Sequence, residues 1–395
     1  MDRREERGRW LARHAHIQRR HDGEWNVPSK SNPGRNYIVR QKDDRFTCTC
    51  QDFETNGNIC KHIHAVRTII LKAYGKNEVF EFKRPTYPQN WSAYNQSQTQ
   101  EKEVFLKLLS DLCNSIEEPE QALGRPKVST RDAVFASTLK VYTMFSLRRF
   151  MSDLRDAKDK NYVKKAWSFS AVSKYMRKES LTPVIQQLIT LSSLPLKSVE
   201  TSFAIDSSGF RTTRFSEYCK EKHETDQEHE WVKMHVCVGV KTNIITAVDV
   251  GRGASPDNPY FIPLTQKTLN NGFNIQEVSA DKGYHASDNY SFIDSIGGTA
   301  YIPFKTNVSI KTTGRGFIWR KMFNYFTFNR EEFLKHYHLR SNVEATFSMI
   351  KSKFTDLIRS KDETAQKNEA LLKALCHNIV VLIHEINELG IPLNQ

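Results

Sequence analysis

The chain has 395 residues, of which 38% are hydrophobic, and it carries a formal net charge of +13 with an isoelectric point of about 9.3. This length allows two or three domains with a sizeable core, and the excess of positive charge favours a polyanion as the partner. No apolar run approaches the roughly 20 residues of a membrane span, and the start MDRREERGRW has no apolar signal core, so we expect a cytoplasmic protein whose seven cysteines are thiols or metal ligands rather than disulfides.

Residues 1–76 are predicted to form a small N-terminal module. The segment YIVRQKDDRF predicts two strands joined by a turn at Asp43 and Asp44. Directly after the second strand, the segment CTCQDFETNGNICKHIH holds three of the seven cysteines within thirteen residues. Such clustering is unusual for cysteines that serve only as buried thiols, so the segment is a candidate metal site.

The spacing within this segment indicates zinc. Cys48 and Cys50 are one residue apart, and Cys60 and His62 repeat that interval, with His64 as an alternative imidazole. Three thiolates and one imidazole form the tetrahedral ligand set of a closed structural zinc site, which has no open position for chemistry.

The pattern Cys-x-Cys, nine residues, Cys-x-His resembles the SWIM zinc finger. Phe53 and the helix-like segment HIHAVRTIILKAY after the last cysteine resemble it as well. The resemblance implies that His62 rather than His64 is the fourth ligand. It also implies a small module that contacts DNA or protein, without choosing between them.

Residues 77–123 are predicted to hold a linker and one helix. The segment EFKRPTYPQNWSAYNQSQTQ is rich in Pro, Asn, Gln and Ser, which predicts a linker or an extended strap. A helix with one apolar side is predicted over about 100–116, and it ends at Glu118 and Pro119.

Residues 124–200 carry most of the positive charge. The segment holds 15 Lys and Arg against 6 Asp and Glu, a net charge of +9, and helices are predicted over about 131–146, 147–158 and 181–192. Short helices with clustered basic residues favour a helical DNA-binding region, of which the helix-turn-helix is one form; the alternative is a solvated basic face on a helical connector. The clustered residues are Arg148, Arg149, Lys164, Lys165, Arg177 and Lys178.

Residues 201–360 are predicted to form an α/β domain. The segments SFAIDSSGF, WVKMHVCVGV and ITAVDVGRG predict three strands of an antiparallel meander. After them, predicted helices alternate with the strands of QEVSADKGY and TAYIPF, which favours parallel pairing with helices on the faces of a mixed five-stranded sheet.

Two aspartates are predicted to end strands of this sheet. Asp206 ends the apolar run of SFAIDSSGF, and Asp281 ends the run of QEVSADKGY. If these two strands lie side by side and parallel, their carboxylates meet at one edge of the sheet.

The segment YHLRSNVEATFSMIK predicts a helix that supplies a third carboxylate. At about 100° per residue, its apolar side chains form one stripe for docking, and a second stripe carries the charged residues. Three carboxylates suit Mg²⁺ or Mn²⁺, and two such ions could activate a water or a 3′-hydroxyl in phosphodiester cleavage. The second stripe consists of Tyr337, Arg340, Glu344 and Lys351.

Together these residues resemble the DDE transposases of bacterial and archaeal insertion sequences. Asp206 and Asp281 match the two aspartates of that family, and the helix repeats its Tyr-x2-Arg-x3-Glu-x6-Lys signature with every interval intact. The resemblance implies an RNase H-like fold in which Asp206, Asp281 and Glu344 are catalytic and bind Mg²⁺ or Mn²⁺, with two ions expected.

The resemblance also implies a reaction and a partner. Members of the family cleave the ends of the transposon and transfer its 3′ ends into target DNA. We therefore expect double-stranded DNA, both terminal inverted repeats and target, as the partner of a homo-oligomer, in the cytoplasm or on the nucleoid of a prokaryote. Tyr337, Arg340 and Lys351 are expected to support catalysis, with Arg340 and Lys351 holding the DNA backbone.

One interval departs from some relatives. Only 63 residues separate Asp281 from Glu344, which leaves no room for the large β-rich insertion that helps those relatives form a DNA hairpin. Basic residues in this interval (Lys305, Lys311, Arg315, Arg320, Lys321) alternate with Phe317, Trp319, Phe323 and Tyr325. These aromatic side chains either stack an exposed base or cover the edge of the sheet.

Residues 361–395 are predicted to be a C-terminal helix, over about 366–389, that completes the catalytic domain. The sequence therefore predicts a DNA transposase with a zinc module and a helical DNA-binding region before its catalytic core. Two alternatives remain: a DNA-binding protein derived from a transposase that no longer cuts, and a nuclease of the same fold that does not transpose.

Overall fold

The computed structural model describes residues 3–21, 23–29, 35–42, 45–56, 59–73, 90–120, 127–213, 231–305, 308 and 316–390. The chain divides into two compact units, Met1–Pro88 and Gln89–Gln395, which are described separately. No helix among the described residues is long and apolar enough to cross a membrane.

The first unit is a four-stranded antiparallel sheet with helices before and after it. Its strands are paired in chain order, and the pairing of Lys42 with Arg45 confirms the predicted hairpin, although the turn residues Asp43 and Asp44 lie outside the described residues. The sequence did not predict the first helix or the first two strands. The elements are α1 (Arg3–His14), β1 (Gln18–His21), β2 (Glu24–Pro28), β3 (Asn36–Lys42), β4 (Arg45–Cys48), α2 (Gln51–Asn56) and α3 (Lys61–Ala73).

The second unit is built on a five-stranded mixed sheet. The strands are β5 (Ser202–Arg211), β6 (Trp231–Gly239), β7 (Ile245–Arg252), β8 (Glu277–Ala280) and β9 (Thr299–Tyr301). They lie in the order β7-β6-β5-β8-β9; the first three pair antiparallel, whereas β8 and β9 run parallel to β5. This confirms the predicted antiparallel meander followed by parallel strands, which is the RNase H-like arrangement.

Helices cover both faces of this sheet. Side chains of β5 alternate between two hydrophobic clusters, with Ala204 and Phe210 in one and Phe203 and Ile205 in the other. The helices are α4 (Trp91–Thr99), α5 (Glu101–Asn114), α6 (Thr130–Thr143), α7 (Met151–Asp159), α8 (Phe169–Met176), α9 (Leu181–Ser193), α10 (Phe261–Asn270), α11 (Ser287–Ser295), α12 (Phe317–Phe328), α13 (Arg330–Tyr337), α14 (Ser341–Phe354) and α15 (Glu363–Leu389). The first cluster packs against α5, α6, α8, α9, α14 and α15, and the second against α10 to α13.

The prediction that β5 ends at Asp206 is wrong. The strand continues to Arg211 because β6 pairs with it over its whole length, from Phe203 opposite Gly239 to Arg211 opposite Trp231. On its other side, however, β5 pairs with β8 only as far as Ile205 opposite Ala280. The short partner strand, rather than β5 itself, therefore creates the edge at which Asp206 lies.

Two further predictions, one of a linker or strap and one of a single long helix, are wrong. Residues 91–99 form α4 instead of an extended strap, because the Asn90 side chain caps the helix at Ala93 N and because Ala93 and Ser97, one turn apart, are buried. The segment from Tyr337 to Lys351 is not one α-helix: α13 ends at Tyr337, residues His338–Arg340 form a 3-10 turn, and α14 begins at Ser341.

Five predicted helices are confirmed, with ends shifted by a few residues. They are α5, α6, α7, α9 and α15, which were predicted over 100–116, 131–146, 147–158, 181–192 and 366–389. The sequence did not predict α8, a short helix capped by the Ser168 hydroxyl.

The last helix, α15, is buried on every side from Asn368 to Ile379. A helix buried all round belongs to a core, so α15 is the centre of the helical half of this unit.

Asn378 ties α15 to two neighbouring elements. Its Oδ1 accepts the Ile245 N–H at 2.9 Å, and its Nδ2 donates to Ile245 O at 2.8 Å, to Ser192 Oγ at 3.0 Å and to Ile189 O at 3.2 Å. The side chain is fully buried. A single amide therefore satisfies backbone groups of both β7 and α9.

We expect Asn378→Ala to lower the free energy of unfolding by about 2–4 kcal/mol, because the Ile245 N–H and C=O would stay buried without partners. Chemical denaturation followed by circular dichroism measures this change. Asn387→Ala is the matched control: this amide lies on the same helix but donates only to Ile383 O, and we expect no change beyond about 0.5 kcal/mol. Equal losses in both variants would contradict the role assigned to Asn378.

Candidate functional site

The register of the sheet places the two predicted aspartates side by side. Residues Ser202 to Ile205 of β5 pair in parallel with Glu277 to Ala280 of β8. Asp206 and Asp281 each follow the last residue of this pairing, so they leave adjacent strands at the same level. Each accepts a hydrogen bond from the next backbone N–H, at 2.9 Å from Ser207 to Asp206 and at 2.7 Å from Lys282 to Asp281, which fixes both carboxylates at this edge.

The helix α14 brings Glu344 to the same edge. Its apolar side chains Val343, Phe347, Ile350 and Phe354 are buried against the sheet, as the sequence pattern predicted. Glu344 lies in the first turn of this helix and its side chain is 57% exposed. The structure thus places Asp206 and Asp281 on adjacent strands and links Glu344 to Asp206 through Arg340, but among the described residues the three carboxylates do not form a preassembled set of metal ligands.

Arg340 is the residue that joins two of the three acids. Its Nη1 donates to Asp206 Oδ2 at 2.6 Å, and its Nη2 donates to Glu344 Oε1. The guanidinium also lies over the Tyr337 ring, 5.9 Å from its centre. Because the Arg340 side chain is only 19% exposed, these ion pairs are screened less than surface pairs would be.

Burial and the groups around Asp206 shift the pKa of its carboxyl group, some upward and some downward. Burial raises the pKa of Asp206, and Asp281 and Glu344 raise it further, while the Ser207 N–H and Arg340 act in the opposite direction. Arg340 itself loses solvation through burial, yet its carboxylate neighbours raise its pKa. The acids therefore form a concentrated negative site that a cation stabilises, and hard oxygen donors of this kind fit Mg²⁺ or Mn²⁺.

Lys351 lies farther along the same face of β5. Its Nζ donates to Ser208 Oγ at 2.7 Å and lies 5.3 Å from the centre of the Phe210 ring. Burial lowers the pKa of this lysine. Alternate residues of a strand share one face. Asp206, Ser208 and Phe210 therefore lie on the same face of β5, and Lys351 contacts this face at Ser208 and Phe210.

A polar cluster on the opposite face of β5 was missed from the sequence. Ser207 Oγ donates to Asp257 Oδ1 at 2.6 Å, and Lys233 Nζ forms an ion pair with the same oxygen at 2.7 Å. Tyr284, which is buried, lies near these groups: burial raises its pKa, and Asp257 and Asp206 raise it further. The Pro-flanked turn SPDNP around Asp257 was the only local signal, and it indicates a turn rather than a site.

The interval between Asp281 and Glu344 contains no β-rich insertion among its described residues, only the short strand β9 and helices. Trp319 is fully buried, donates to His285 Nε2 at 3.3 Å and stacks on Phe323, so these two aromatic side chains cover the sheet. Phe317 is 79% exposed, and Lys311 and Arg315 lie outside the described residues.

In the basic segment 124–200, helix α6 is almost fully buried, so it cannot itself enter a DNA groove. All six clustered basic residues are exposed, and Arg148 lies over the Phe169 ring. Positive charge therefore faces solvent on the connections around α7 and α8.

In the first unit, the predicted zinc ligands form one buried cluster. Ligand atoms of Cys48, Cys50, Cys60 and His62 all lie within 4.8 Å of one another. His62 Nδ1 faces the thiols, at 3.7 Å from Cys48 Sγ and 3.8 Å from Cys60 Sγ. The cluster contains His62 and not His64.

The chemistry of this cluster fits zinc. A hydrogen bond with Cys48 lowers the pKa of the Cys60 thiol to about 4 against the effect of burial, so the cluster favours a thiolate at Cys60. All four residues are buried, and a closed set of three sulfurs and one imidazole nitrogen is a structural rather than a catalytic zinc site.

Comparison with known families agrees with both sites. Residues 197–379 match the family model of the transposase DDE domain, and residues 37–66 match that of the SWIM zinc finger. No curated protein and no solved structure matches the chain. The acidic residues lie inside the region that matches the transposase DDE domain, and the Cys/His cluster lies inside the region that matches the SWIM zinc finger.

We expect the purified protein to contain about one zinc ion per chain, because the Cys/His cluster offers a complete tetrahedral set. Metal analysis by atomic emission measures this content. Cys60→Ser removes a ligand and should abolish zinc binding, whereas Cys113→Ser, a buried thiol of the second unit, should leave the zinc content unchanged. Retention of zinc by both variants would show that the metal is bound elsewhere.

Proposed function

We propose that this chain binds the ends of an insertion sequence and catalyses divalent-metal-dependent cleavage of a phosphodiester bond there, followed by transfer of the 3′ end into target DNA. The observation that supports this proposal most directly is that Asp206 and Asp281 follow the paired ends of two adjacent strands and that Arg340 links Asp206 to Glu344, all within the region that matches the DDE domain. The segment 201–360 would be the catalytic domain.

Asp206, Asp281 and Glu344 would hold the Mg²⁺ or Mn²⁺ ions. When bound, such ions activate a water or a 3′-hydroxyl and stabilise the leaving oxygen. For all three carboxylates to serve as ligands, Arg340 has to give up at least one of its two ion pairs. A DNA phosphate offers the guanidinium a bidentate partner of the same kind, so Arg340 can exchange a carboxylate for the substrate backbone.

Lys351 would bind the backbone next to the cleaved bond. Its ammonium donates to a neutral hydroxyl, Ser208 Oγ, and is partly desolvated, while Asp356 acts on it electrostatically. A partly desolvated ammonium bound to a neutral group can also bind a phosphate. Tyr337 would keep Arg340 in place through the contact of its ring with the guanidinium.

The exposed basic residues around α7 and α8 would provide the wider DNA contact. The segment 124–200 holds a net charge of +9, so non-specific attraction to the duplex would be strong and would fall with salt. The zinc module of residues 1–76 would contact DNA or protein, residues 77–123 would connect it to the rest, and a homo-oligomer would hold two transposon ends together.

We expect the wild-type protein with Mg²⁺ or Mn²⁺ to introduce specific nicks at the element ends of a DNA fragment that carries the gene with its flanks. Asp206→Asn should reduce this cleavage by at least about 100-fold, because the amide keeps the shape of the side chain but loses the charge that holds the metal. Gel analysis of end-labelled DNA measures the nicks and locates the ends.

Asp294→Asn is the matched control, since Asp294 is an exposed aspartate of α11 outside the acidic site. It should cut like the wild type. If the wild type binds the fragment but leaves it intact with both metals, the chain is a DNA-binding protein that no longer cuts. If it cuts but never joins the 3′ end to a second DNA, it is a nuclease that does not transpose.

A further inference from the structure

A second site lies at the far end of β5, where the strand is held by the segment after α14. Arg211 N donates to Asp356 O at 2.8 Å, and Ile358 N donates to Arg211 O at 2.7 Å. The Arg211 guanidinium also binds both oxygens of the Asp356 carboxylate, at 2.8 Å and 2.7 Å. Residues 356–358 therefore extend the sheet beside the end of β5.

Two charged residues of α15 hold the backbone of the rest of this segment by hydrogen bonds. Glu369 accepts the N–H groups of Arg359 at 3.0 Å and Ser360 at 2.9 Å, and the Ser360 hydroxyl at 2.6 Å. Lys373 donates to three backbone carbonyls, Phe354 O, Thr355 O and Leu357 O, at 2.6 to 2.9 Å. Both residues lie in the core, since Glu369 is 2% exposed and Lys373 is 1% exposed. The backbone from 354 to 360 is thus held rigidly by hydrogen bonds.

This rigid segment forms one wall of a cavity of about 540 Å³. The other walls come from α6, from the region around α8 and from Thr212 and Thr213 after β5. Among the described residues that line the cavity, four are cations, Lys140, Arg177, Arg359 and Lys361, and none is acidic. A cavity of this volume accommodates a nucleotide-sized group.

Lys140 is the unusual member of this set. The residue is 5% exposed, yet its Nζ makes no hydrogen bond among the described residues, and the nearest carboxylate oxygen, Glu369 Oε1, lies 3.9 Å away. That distance is too long for a hydrogen bond. Both Glu369 oxygens already accept shorter bonds from the 359–360 segment. Lys140 and Glu369 therefore form a buried ion pair without a hydrogen bond between them, and an anion in the cavity would offer the ammonium a partner that it can hydrogen-bond.

We propose that this cavity binds a phosphate group of a nucleotide, with Lys140 as the buried contact and Arg177, Arg359 and Lys361 around it. The phosphate would belong to the DNA substrate or to a free nucleotide. The DNA form rests on the proposed function. An ordinary solvated basic face does not explain the arrangement, because Lys140 lies inside the fold and its surroundings are fixed by other residues.

The position of the cavity relative to the acidic site suggests which phosphate it takes. Six residues of nearly straight strand separate Asp206 from Thr212, a distance of roughly 20 Å at about 3.3 Å per residue. Duplex DNA rises about 3.4 Å per base pair. A DNA backbone that follows β5 away from the acidic site would reach the cavity about six base pairs from the cleaved bond.

The test compares charge-removing variants of the full-length protein. Lys140→Met removes the buried contact, and the double variant Arg359→Met with Lys361→Met removes two exposed contacts outside the basic cluster around α7 and α8, so it stays informative if Lys140→Met does not fold. Lys107→Met is the control, because Lys107 is an exposed lysine of α5 outside the cavity lining. Thermal melting shows which variants are folded.

The binding of a fluorescent duplex of mixed sequence is measured by anisotropy over a series of salt concentrations. We expect the slope of log K against log salt to fall by about 1 for Lys140→Met and by about 1 to 2 for the double variant, and to stay unchanged for Lys107→Met. In a second arm, calorimetry with thymidine 5′-monophosphate and with inorganic phosphate measures whether the cavity binds a free phosphate group and whether Lys140→Met or the double variant abolishes that binding.

A changed slope assigns the site to DNA, and phosphate binding that the variants abolish, together with an unchanged slope, assigns it to a free nucleotide. If the folded variants keep the wild-type slope and the wild type binds neither small probe better than they do, the inference is overturned. Cleavage by the wild type separates this result from the proposed function. If the wild type does not cut the DNA but the variants change the salt slope as expected, the catalytic proposal fails and the cavity assignment stands.

Discussion

The burial of charged carboxylates at one edge of the sheet is the constraint on which the rest of the second unit depends. Asp206 and Asp281 leave paired strands at the same level, and α14 adds Glu344, so three negative groups share one edge of the sheet. Burial raises the pKa of Asp206, and the neighbouring Asp281 and Glu344 raise it further. Arg340 offsets these effects by binding two of the three groups, and the backbone N–H groups of Ser207 and Lys282 offset them further.

The position of the acidic edge depends in turn on a core that contains several buried polar groups. Three of these residues lie on α15: Asn378 binds backbone groups of β7 and α9, whereas Glu369 and Lys373 bind those of the segment after α14. Buried charges that are fully hydrogen-bonded add directional contacts to a core. These contacts set where β7, α9 and the segment after α14 lie, and α14 carries Glu344 at one end and leads to the cationic cavity at the other.

Patterns that are local in sequence were sufficient for much of this structure. Alternating strands gave the order of the sheet, and the Cys/His spacing gave a cluster that the structure closes around His62. The spacing from Tyr337 to Lys351 led to Arg340 and Lys351, which contact Asp206 and Ser208 on one face of β5 even though a 3-10 turn interrupts the helix.

Interactions between distant segments were not predictable in the same way. Ser207 and Asp257 are 50 residues apart, and the segments that bring Lys140 near Glu369 are farther apart still. No periodicity in one segment indicates such a pair. Likewise, α4 has a composition typical of a linker, and only its packing through Ser97 against His384 shows why it is helical. The resemblance of the sequence to a known family supplied the roles proposed for the acids, which geometry alone does not give.

The bridge that Arg340 forms between Asp206 and Glu344 has a thermodynamic consequence. One guanidinium and a metal ion compete for the same two carboxylates, whereas a DNA phosphate competes with those carboxylates for the guanidinium. If the acids bind metal as proposed, DNA would raise the affinity for the metal, and by linkage the metal would raise the affinity for DNA by the same factor. A protein built in this way would remain without a loaded metal centre until its substrate arrives, which would limit stray cleavage of the DNA around it.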